Sequence, residues 1–225
     1  MLAKEAVRML RPMTVLYSGP MEAGKTYHLL REVQTLLRTP HPAPFEGPAI
    51  IAQEGDDSDA SSSSTSTMFS SAVFCKPNLD TRTEPASIAS RNGSAIQGVQ
   101  ALDSLDGVAA ALRPDTLVAV DEAQFFDASL LRLHERVQQT PGCTLVVAGL
   151  DRDFRREPFG HVLNLAQQII TGPGSGRVHM LRAPCHVEGC AAPAAYTLRT
   201  VASDARILIG DSDSYAPACP EHHSF

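Results

Sequence analysis

The chain lacks three features that would each assign it to a broad class of protein. No apolar run approaches the ~20 residues of a membrane-spanning helix, so we expect no membrane partner. The segment 1–11 carries three basic residues but no apolar core of a signal peptide, which favours a soluble, cytoplasmic protein. Positive charge is also scarce. The formal net charge of -6 disfavours a surface that coats nucleic acid, so we expect no nucleic-acid partner.

Cysteine is scarce as well, with five residues in a chain of 225. Three of the five lie between positions 185 and 219, and in a reducing compartment such clustering favours a metal site over disulfides. Cys75 and Cys143 lie in apolar runs and are predicted to be core residues. Hydrophobic residues make up 43% of the chain, which is enough for a full globular core.

What the chain does contain is a glycine-rich loop, Gly19-Pro20-Met21-Glu22-Ala23-Gly24-Lys25-Thr26. A short strand at 13–17 precedes it and a helix over 25–38 follows it, and this context favours a phosphate site over a chance turn. Gly19 and Gly24 would let several backbone N–H groups face a polyphosphate at the positive end of the helix. Lys25 would bind the outer phosphates, and the Thr26 hydroxyl suits a Mg²⁺ ligand position.

A second predicted phosphate element is the apolar strand 116–120, which ends in Asp121 and Glu122. Asp121 is placed to hold Mg²⁺ through water, and Glu122 to take a proton from the attacking group. The alternative is an acidic strand end exposed to solvent. The glycine-rich loop in the same chain favours the phosphate site.

Strands and helices alternate along the chain, which predicts a parallel α/β sheet. Further strands are predicted at 71–76 and 143–150, with helices at 106–112 and 128–139. The stretch 40–70 is rich in Pro, Asp, Ser and Thr and predicts a disordered insertion, either tolerated or regulated by phosphorylation. A glycine-rich stretch at 171–176 predicts one more loop.

The polar loop 151–160 follows the strand 143–150 and contains Phe154 and Phe159. In open parallel sheets, ligands bind at the carboxyl ends of the strands. The two rings could stack on a nucleobase, or they could anchor the loop on the core. The residues alone leave both readings open.

The tail contains two pairs of potential metal ligands, Cys185 with Cys190 and Cys219 with His222. Strands predicted at 194–201 and 205–209 would form a hairpin between the pairs, which is a zinc-ribbon layout. Three thiolates and one imidazole would close a tetrahedral structural site. His186 and His223 remain alternative ligands, and a tail of unpaired thiols is the remaining alternative.

Together these motifs resemble the type II, cytosolic thymidine kinases. The match rests on 19–26, Lys76-Pro77-x-x-Asp80-Thr81-Arg82, Asp121 to Phe126, 151–160, Ala195 to Arg199, Ile209-Gly210 and Tyr215 to Cys219, in that family's order. The resemblance covers nearly the whole chain apart from 40–70. It implies a P-loop NTPase (RecA-like) parallel sheet with helices on both faces over 1–180. A small zinc-ribbon domain with a nucleoside-covering lasso loop would follow over 181–225.

The resemblance also implies transfer of the γ-phosphate of ATP to the 5′-hydroxyl of thymidine, and of deoxyuridine, in nucleotide salvage. Glu122 would be the proton acceptor. The implied ATP and phosphate residues are Gly19, Pro20, Met21, Glu22, Ala23, Gly24, Lys25, Thr26, Asp80, Thr81, Arg82, Asp121, Gln124 and Arg156. The implied nucleoside residues are Met21, Phe125, Leu150, Phe154, Phe159, Arg199, Arg206, Ile207, Leu208, Ile209, Gly210 and Tyr215.

The implied metal ligands are Cys185, Cys190, Cys219 and His222 for a structural zinc ion, with Thr26 and Asp121 for Mg²⁺. A homotetramer inhibited by thymidine triphosphate is implied as well. The sequence departs from the family pattern in the insertion 40–70, the loop at 171–176 and the four residues inside the first ligand pair. It also departs at Arg91, where the family often has histidine.

Two rival functions differ in class. A helicase would explain Asp121-Glu122-Ala123-Gln124, but 225 residues cannot hold two RecA-like domains and the net charge is acidic. A zinc-ribbon adaptor that binds nucleotide without catalysis would not need Lys25, Thr26, Asp121 and Glu122 together. An ATPase assay with and without nucleic acid, and a phosphate-transfer assay with thymidine, separate the three functions.

Overall fold

The computed structural model of the chain describes residues 11–38, 50–51, 68–80, 86–202 and 213–223, with only the backbone described for 50–51. Most of the predicted insertion 40–70 lies outside the described residues. The same holds for two groups of predicted site residues: Thr81 and Arg82 near the phosphates, and Arg206 to Gly210 in the lasso loop.

The centre of the fold is a parallel sheet, in which the described residues form six strands. The strand order is β6-β3-β7-β8-β1-β9, and every neighbouring pair is parallel. The strands are β1 (Met13–Ser18), β3 (Ser71–Pro77), β6 (Gln100–Leu102), β7 (Thr116–Val120), β8 (Thr144–Gly149) and β9 (Ser175–Met180). β1, β7 and β8 are buried on both faces, which explains why each is a continuous apolar run.

Helices cover both faces of this sheet. They are α1 (Lys25–Arg38), α2 (Asp106–Ala111), α3 (Ser129–Gln138) and α4 (Val162–Thr171). α2, α3 and α4 pack on one face, around Leu133, Leu145 and Leu165. α1 packs on the other face, where its apolar stripe meets Val15 and Val146. The alternation of Val15 and Leu16 between the two cores is the period-2 pattern of a strand.

A small antiparallel sheet extends the α1 face. Its order is β2-β5-β4, from β2 (Ile50–Ile51), β4 (Ser87–Ala89) and β5 (Ala95–Gln97). Ile88 and Ile96 are buried against the core that α1 covers. The turn between β4 and β5 carries Arg91, which reaches the glycine-rich loop.

The tail forms two short antiparallel pairs. β10 (Ala183–Pro184) pairs with β11 (Pro193–Ala194), and β12 (Tyr196–Arg199) pairs with β13 (Tyr215–Ala218). The strand predicted at 194–201 is present as β11 and β12, and the described partner of β12 is β13. The predicted strand 205–209 lies outside the described residues, so the hairpin that it would form stays a prediction.

The predicted α/β class with a parallel sheet and helices on both faces is confirmed. Several described elements carried no sequence prediction, among them α4, β4, β5 and β6. Ser175 and Gly176, which were assigned to a loop, begin β9. Among the described helices, none is both long and apolar enough to cross a membrane.

Candidate active site and metal centre

The glycine-rich loop joins β1 to α1 at the carboxyl edge of the sheet. Gly19 and Gly24 have φ values of +142° and +77°, which L side chains rarely adopt. At Gly19 a Cβ would lie 2.5 Å from the carbonyl oxygen of Leu181, so this position also needs glycine for a close backbone approach. The Lys25 Nζ donates to the Pro20 carbonyl at 2.6 Å, across the loop that it would share with a phosphate.

Two groups outside the loop hold its tip. The backbone N–H of Met21 donates to Thr197 Oγ1 of β12 at 3.0 Å, and Arg91 pairs with Glu22 at 2.9 Å. Glu22 has a φ of +62°, a conformation that costs a non-glycine residue energy and so needs support from its neighbours. The loop is therefore supported on one side by the tail and on the other by the β4–β5 turn.

Thr26, the last residue of the loop, pairs with the buried Asp121. Thr26 Oγ1 donates to the two carboxylate oxygens of Asp121 at 3.2 and 3.1 Å. Asp121 is 7% exposed, and burial, followed by the charge of Glu122, raises the pKa of its carboxyl. The charge of Asp80, at the end of β3, acts in the same direction. A hydroxyl next to a buried carboxylate supplies the hard oxygen ligands that Mg²⁺ prefers, so these residues fit that ion.

Glu122 follows Asp121 in a left-handed backbone conformation, with φ at +50°. Its carboxylate accepts a hydrogen bond of 2.6 Å from Gln124 Nε2. Gln124 is 3% exposed, and its Oε1 accepts from the backbone N–H of Leu150 at 2.9 Å. The glutamate is thus connected through one buried amide to the end of β8.

The loop 151–160 forms a compact turn organised by Asp153, which is 4% exposed. Its Oδ1 accepts from the backbone N–H groups of Arg155 and Glu157 at 2.9 and 3.0 Å. The turn presents Phe154 to the tail, where the Arg199 guanidinium lies 3.7 Å from the ring centroid. Arg199 in turn donates to the Tyr215 hydroxyl at 2.8 Å. Three residues predicted to contact the nucleoside are therefore brought together.

Other predicted nucleoside residues lie at the same edge. The rings of Phe125 and Phe159 meet edge to face, with centroids 5.4 Å apart. Both rings are only partly buried, as are Leu150 and Met21. The two readings of Phe159 are thus not exclusive, because its ring packs on Phe125 and still reaches the surface.

Arg156 was predicted to bind phosphate, but its described contacts are with the tail. Its Nε donates to His223 Nδ1 at 3.1 Å, and its Nη2 donates to the carbonyl of His223 at 2.9 Å. The guanidinium also lies 4.4 Å from the ring centroid of Tyr196. The structure does not bring Arg156 together with the glycine-rich loop through any contact among the described residues.

The four predicted zinc ligands converge. One ligand atom from each of Cys185, Cys190, Cys219 and His222 lies within 4.8 Å of all the others. The separations include Cys185 Sγ to His222 Nδ1 at 3.5 Å, Cys219 Sγ to His222 Nδ1 at 3.3 Å and Cys190 Sγ to Cys219 Sγ at 4.0 Å. Bond lengths of about 2.0–2.3 Å around tetrahedral zinc place ligand atoms ~3.5–3.8 Å apart, so the cluster fits that ion.

The thiol environment agrees with a metal centre. The backbone N–H of Val187 is the main cause that lowers the pKa of Cys185 to about 6, which favours the thiolate form that binds metal. By contrast, burial raises the pKa of Cys75 to about 12, and Cys75 and Cys143 both lie in the core as expected.

The two alternative histidines have other contacts. His186 Nδ1 lies 3.0 Å from the carbonyl of Pro217. His223 contacts Arg156 through Nδ1 and the Thr197 carbonyl through Nε2 at 3.1 Å. Neither histidine belongs to the cluster of ligand atoms.

Sequence reasoning did not identify Leu181, Thr197 or Asp153 as supports of the site. Leu181 donates its N–H to the Ser18 carbonyl at 2.7 Å, next to Gly19. Thr197 holds the tip of the glycine-rich loop, and Asp153 shapes the loop 151–160, which we call the aromatic turn because it carries Phe154 and Phe159. Only Asp153 could have been identified from the sequence, because an aspartate side chain in a loop commonly accepts from the backbone N–H two residues later and so forms a local turn.

The fold and the site are typical of α/β enzymes that bind phosphate groups: the glycine-rich loop, the acidic pair and the aromatic turn share one sheet edge, and a Cys₃His cluster in the tail could hold a metal ion. A family model described as thymidine kinase matches residues 61–223. A thymidine kinase of Mycoplasmoides gallisepticum is 32% identical over 218 residues, which cover 91% of this chain and 78% of the relative. A thymidine kinase of Mesomycoplasma hyopneumoniae (strain 7448) is 34% identical over 160 residues, covering 68% and 78%. The chain belongs to the thymidine kinase family and is an enzyme.

Proposed function

We propose that the chain transfers the γ-phosphate of ATP to the 5′-hydroxyl of thymidine, and of deoxyuridine, in nucleotide salvage. One observation carries the proposal. The carboxyl ends of β1, β7 and β8 place the glycine-rich loop, the Asp121–Glu122 pair and the aromatic turn at one edge of a parallel sheet. In a member of the thymidine kinase family, that edge is the natural site for both substrates.

The phosphate end of the site is built from backbone and one cation. The backbone of 19–26 would hold the triphosphate at the start of α1, and Lys25 would exchange the Pro20 carbonyl for a phosphate oxygen. Thr26 and Asp121 would hold Mg²⁺, which when bound neutralises charge on the phosphates. Asp80 belongs to this end because its charge reaches Asp121. Thr81 and Arg82 are proposed with it on the resemblance alone.

The proton acceptor is Glu122. Its carboxylate is half-buried beside Asp121 and is fixed by the amide of Gln124. A fixed carboxylate within reach of the sugar hydroxyl would take the proton as the phosphoryl group moves. Gln124 was predicted to bind phosphate, but its two described side-chain contacts support the positioning of Glu122 instead.

The nucleoside end is built from aromatic side chains. Phe154 and Phe159 would contact the base, and Met21, Phe125 and Leu150 would line the pocket. Arg199 and Tyr215 support this end from the tail, since Arg199 lies against the Phe154 ring and donates to Tyr215. The segment Arg206 to Gly210 is proposed as the covering loop on the resemblance alone.

The remaining expectations are proposed with the function. The kinase domain would span 1–180 and the zinc-binding domain 181–225, with zinc held by the Cys₃His cluster. A homotetramer, inhibition by thymidine triphosphate and a cytoplasmic location are proposed from the resemblance to the type II enzymes.

A phosphate-transfer assay tests the proposal. The purified chain would be incubated with Mg²⁺ and γ-labelled ATP in the presence of thymidine, deoxyuridine, deoxycytidine or no nucleoside. Labelled monophosphate should form with thymidine and deoxyuridine.

Lys25→Ala should lose most of this activity. A substitution of Lys76 is not a suitable control, because Lys76 is buried in the core. Arg113→Gln, an exposed cation away from the site, is the matched control. Nucleic-acid-stimulated ATP hydrolysis without nucleoside phosphorylation would reject the proposal.

A further inference from the structure

We infer that the Arg156–His223 contact, which we call the latch, couples the turn that carries Cys219 and His222 to the aromatic turn, and so sets the affinity of the enzyme for its nucleoside. This inference rests on the proposed function, because it assigns Phe154 to the nucleoside end of the site. It gives Arg156 a positioning role in place of the phosphate contact that the resemblance implies.

The latch begins at the metal centre. The backbone N–H groups of His222 and His223 both donate to the Cys219 carbonyl, at 3.2 and 3.0 Å. His223 therefore lies in the same tight turn as two of the four clustered ligands, although its own ring nitrogens contact Arg156 and Thr197 and are not part of the cluster. A metal ion that fixes Cys219 and His222 also fixes the position from which the His223 ring projects.

The His223 ring is held at both nitrogens. It is 6% exposed, its Nδ1 accepts from Arg156 Nε, and its Nε2 lies 3.1 Å from the Thr197 carbonyl. The carbonyl can only accept, so Nε2 carries the proton and donates, which leaves Nδ1 as the acceptor that Arg156 needs. Thr197 also binds the tip of the glycine-rich loop through its hydroxyl.

Arg156 completes the latch from the aromatic turn. Its guanidinium donates to His223 through two nitrogens, to the ring and to the backbone carbonyl, and lies over the Tyr196 ring. The residue has a φ of +64°, which is strained for arginine and which these contacts must hold. Arg156 is two residues from Phe154, inside the turn closed by the Asp153 carboxylate. Releasing the guanidinium would relax this turn and the placement of the Phe154 ring.

The two possible roles of Arg156 predict effects on different substrates. A phosphate contact would affect ATP, whereas a positioning contact would affect the nucleoside. Arg156→Gln should raise KM for thymidine by about 5–30-fold, the cost of losing charged hydrogen bonds. It should leave KM for ATP within about twofold and kcat within about threefold, and the bound zinc should stay at the wild-type level.

Arg155→Gln is the matched control, because it removes the same charge from the same turn. Its guanidinium lies 5.2 Å from the Phe154 centroid, whereas the two guanidinium hydrogen bonds to His223 come from Arg156. Its KM for thymidine should change much less than that of Arg156→Gln. An equal rise in the two variants would overturn the latch, since charge alone would then explain the effect.

Two changes at His223 test the geometry from the other side. Asparagine places an acceptor near the position of Nδ1, and glutamine places a donor near the position of Nε2. His223→Asn should therefore retain a KM for thymidine closer to the wild type than His223→Gln does. Both variants should keep zinc, and loss of zinc from His223→Gln would overturn the inference by making His223 a ligand.

Hydrogen exchange gives a readout independent of turnover. In Arg156→Gln the amides of 153–157 should exchange faster, while those of 219–222 keep their protection.

If the wild-type chain does not phosphorylate thymidine, the proposed function fails and the exchange pattern alone tests the latch. If the wild type is active and Arg156→Gln raises KM for ATP instead, the latch fails and the phosphate role is supported. Should Arg156→Gln not fold, the His223 pair decides the question.

Discussion

At the residue scale, the site depends on buried polar groups that join neighbouring residues to distant parts of the chain. Gln124 is the clearest case, because one amide joins Glu122 to the end of β8. Burying such a group is favourable only when its hydrogen bonds are made, so its geometry is well defined. The chemistry of the proposed reaction therefore rests on a few side chains with little freedom to move.

Replacing the proposed proton acceptor tests this geometry. Glu122→Gln keeps the shape of the side chain but removes its basicity, so kcat should fall by about 10²–10⁴ with little change in KM for ATP. Glu135→Gln, an exposed residue of α3, should behave as the wild type. Steady-state kinetics with thymidine measure both variants. A near-normal kcat for Glu122→Gln would exclude Glu122 as the base.

A second residue-scale prediction concerns stability in acid. His134 on α3 is 7% exposed and its Nδ1 lies 3.0 Å from Thr14 Oγ1 on β1. Burial lowers the pKa of His134 in the folded chain, and the charge of Glu135 opposes this only in part. Below about pH 6.5 the unfolded chain binds the proton more readily, so the stability from this residue falls as the pH decreases.

His134→Leu should therefore lose less stability than the wild type between pH 7.5 and pH 5.5. Thr14 keeps a partner in the variant, because Gln138 Nε2 also donates to its hydroxyl. Urea unfolding at the two pH values gives the free energies of unfolding. The same pH-dependent loss in both proteins would show that His134 does not contribute to acid sensitivity.

At the element scale, close approaches between backbones fix how the loops of the carboxyl edge pack. Gly160 ends the aromatic turn with a φ of +56°, and a Cβ there would overlap the backbone of Gln124. The turn after β8 and the short 3₁₀ helix Ala123–Phe125 thus touch with no side chain between them. Their separation sets where Glu122 lies relative to Phe159.

Gly160→Ala should destabilise the fold by at least about 1–2 kcal/mol through its positive φ, and by more through the overlap. It should also lower kcat, because Gln124 must move. Gly107→Ala in α2 is the matched control: its Cβ would meet nothing within 4 Å, so it should be neutral or stabilise by up to about 1 kcal/mol. Urea unfolding and kinetics measure both. Equal stability of the two variants would contradict the packing described.

The elements that could be predicted from the sequence are those with strong hydrophobic periodicity. β1, β7 and β8 are apolar runs, and α1 and α3 carry apolar stripes. β9 could not be predicted, because it is an edge strand whose residues are mostly exposed and include three polar side chains and a glycine. The strand order was equally hidden, since pairing between distant segments leaves no local pattern.

The candidate site could be predicted only as far as its motifs extend. The glycine-rich loop, Asp121 with Glu122, and the four clustered ligands follow spacings that carry chemistry. The supports of the site do not, because Thr197 and Leu181 act through contacts with residues far away in the sequence. For the same reason, the contacts of Arg156 with the tail had no signal in the sequence.

At the scale of the whole molecule, the tail and the α/β sheet share a core. Ala23 of the glycine-rich loop packs with Ala183 and Ala194 of the tail, and Leu181 lies against the same cluster. With the hydrogen bond from Met21 to Thr197, these contacts pack the tail against one side of the glycine-rich loop. A metal centre in the tail should therefore affect more than its own segment.

Removing the metal tests this connection. Cys219→Ser replaces a fully buried ligand and should abolish stoichiometric zinc, as measured by elemental analysis. A loss of about 3–5 kcal/mol would lower Tm by about 6–20 °C for a chain of this size. Cys143→Ser is the control, because Cys143 donates to the Arg113 carbonyl in the core and lies outside the ligand cluster. Full zinc content in Cys219→Ser would reject the proposed metal centre.

The position of β9 beside β1 also has a consequence for biosynthesis. During translation the glycine-rich loop leaves the ribosome early, but the strand and the threonine that support it are made more than 150 residues later. Nascent chains therefore pass through a long period in which β1 has a free edge and the loop has no outer wall. We expect productive nucleotide binding to begin only after β9 and Thr197 have left the ribosome, and chaperones that shield exposed strand edges to raise the yield of active enzyme.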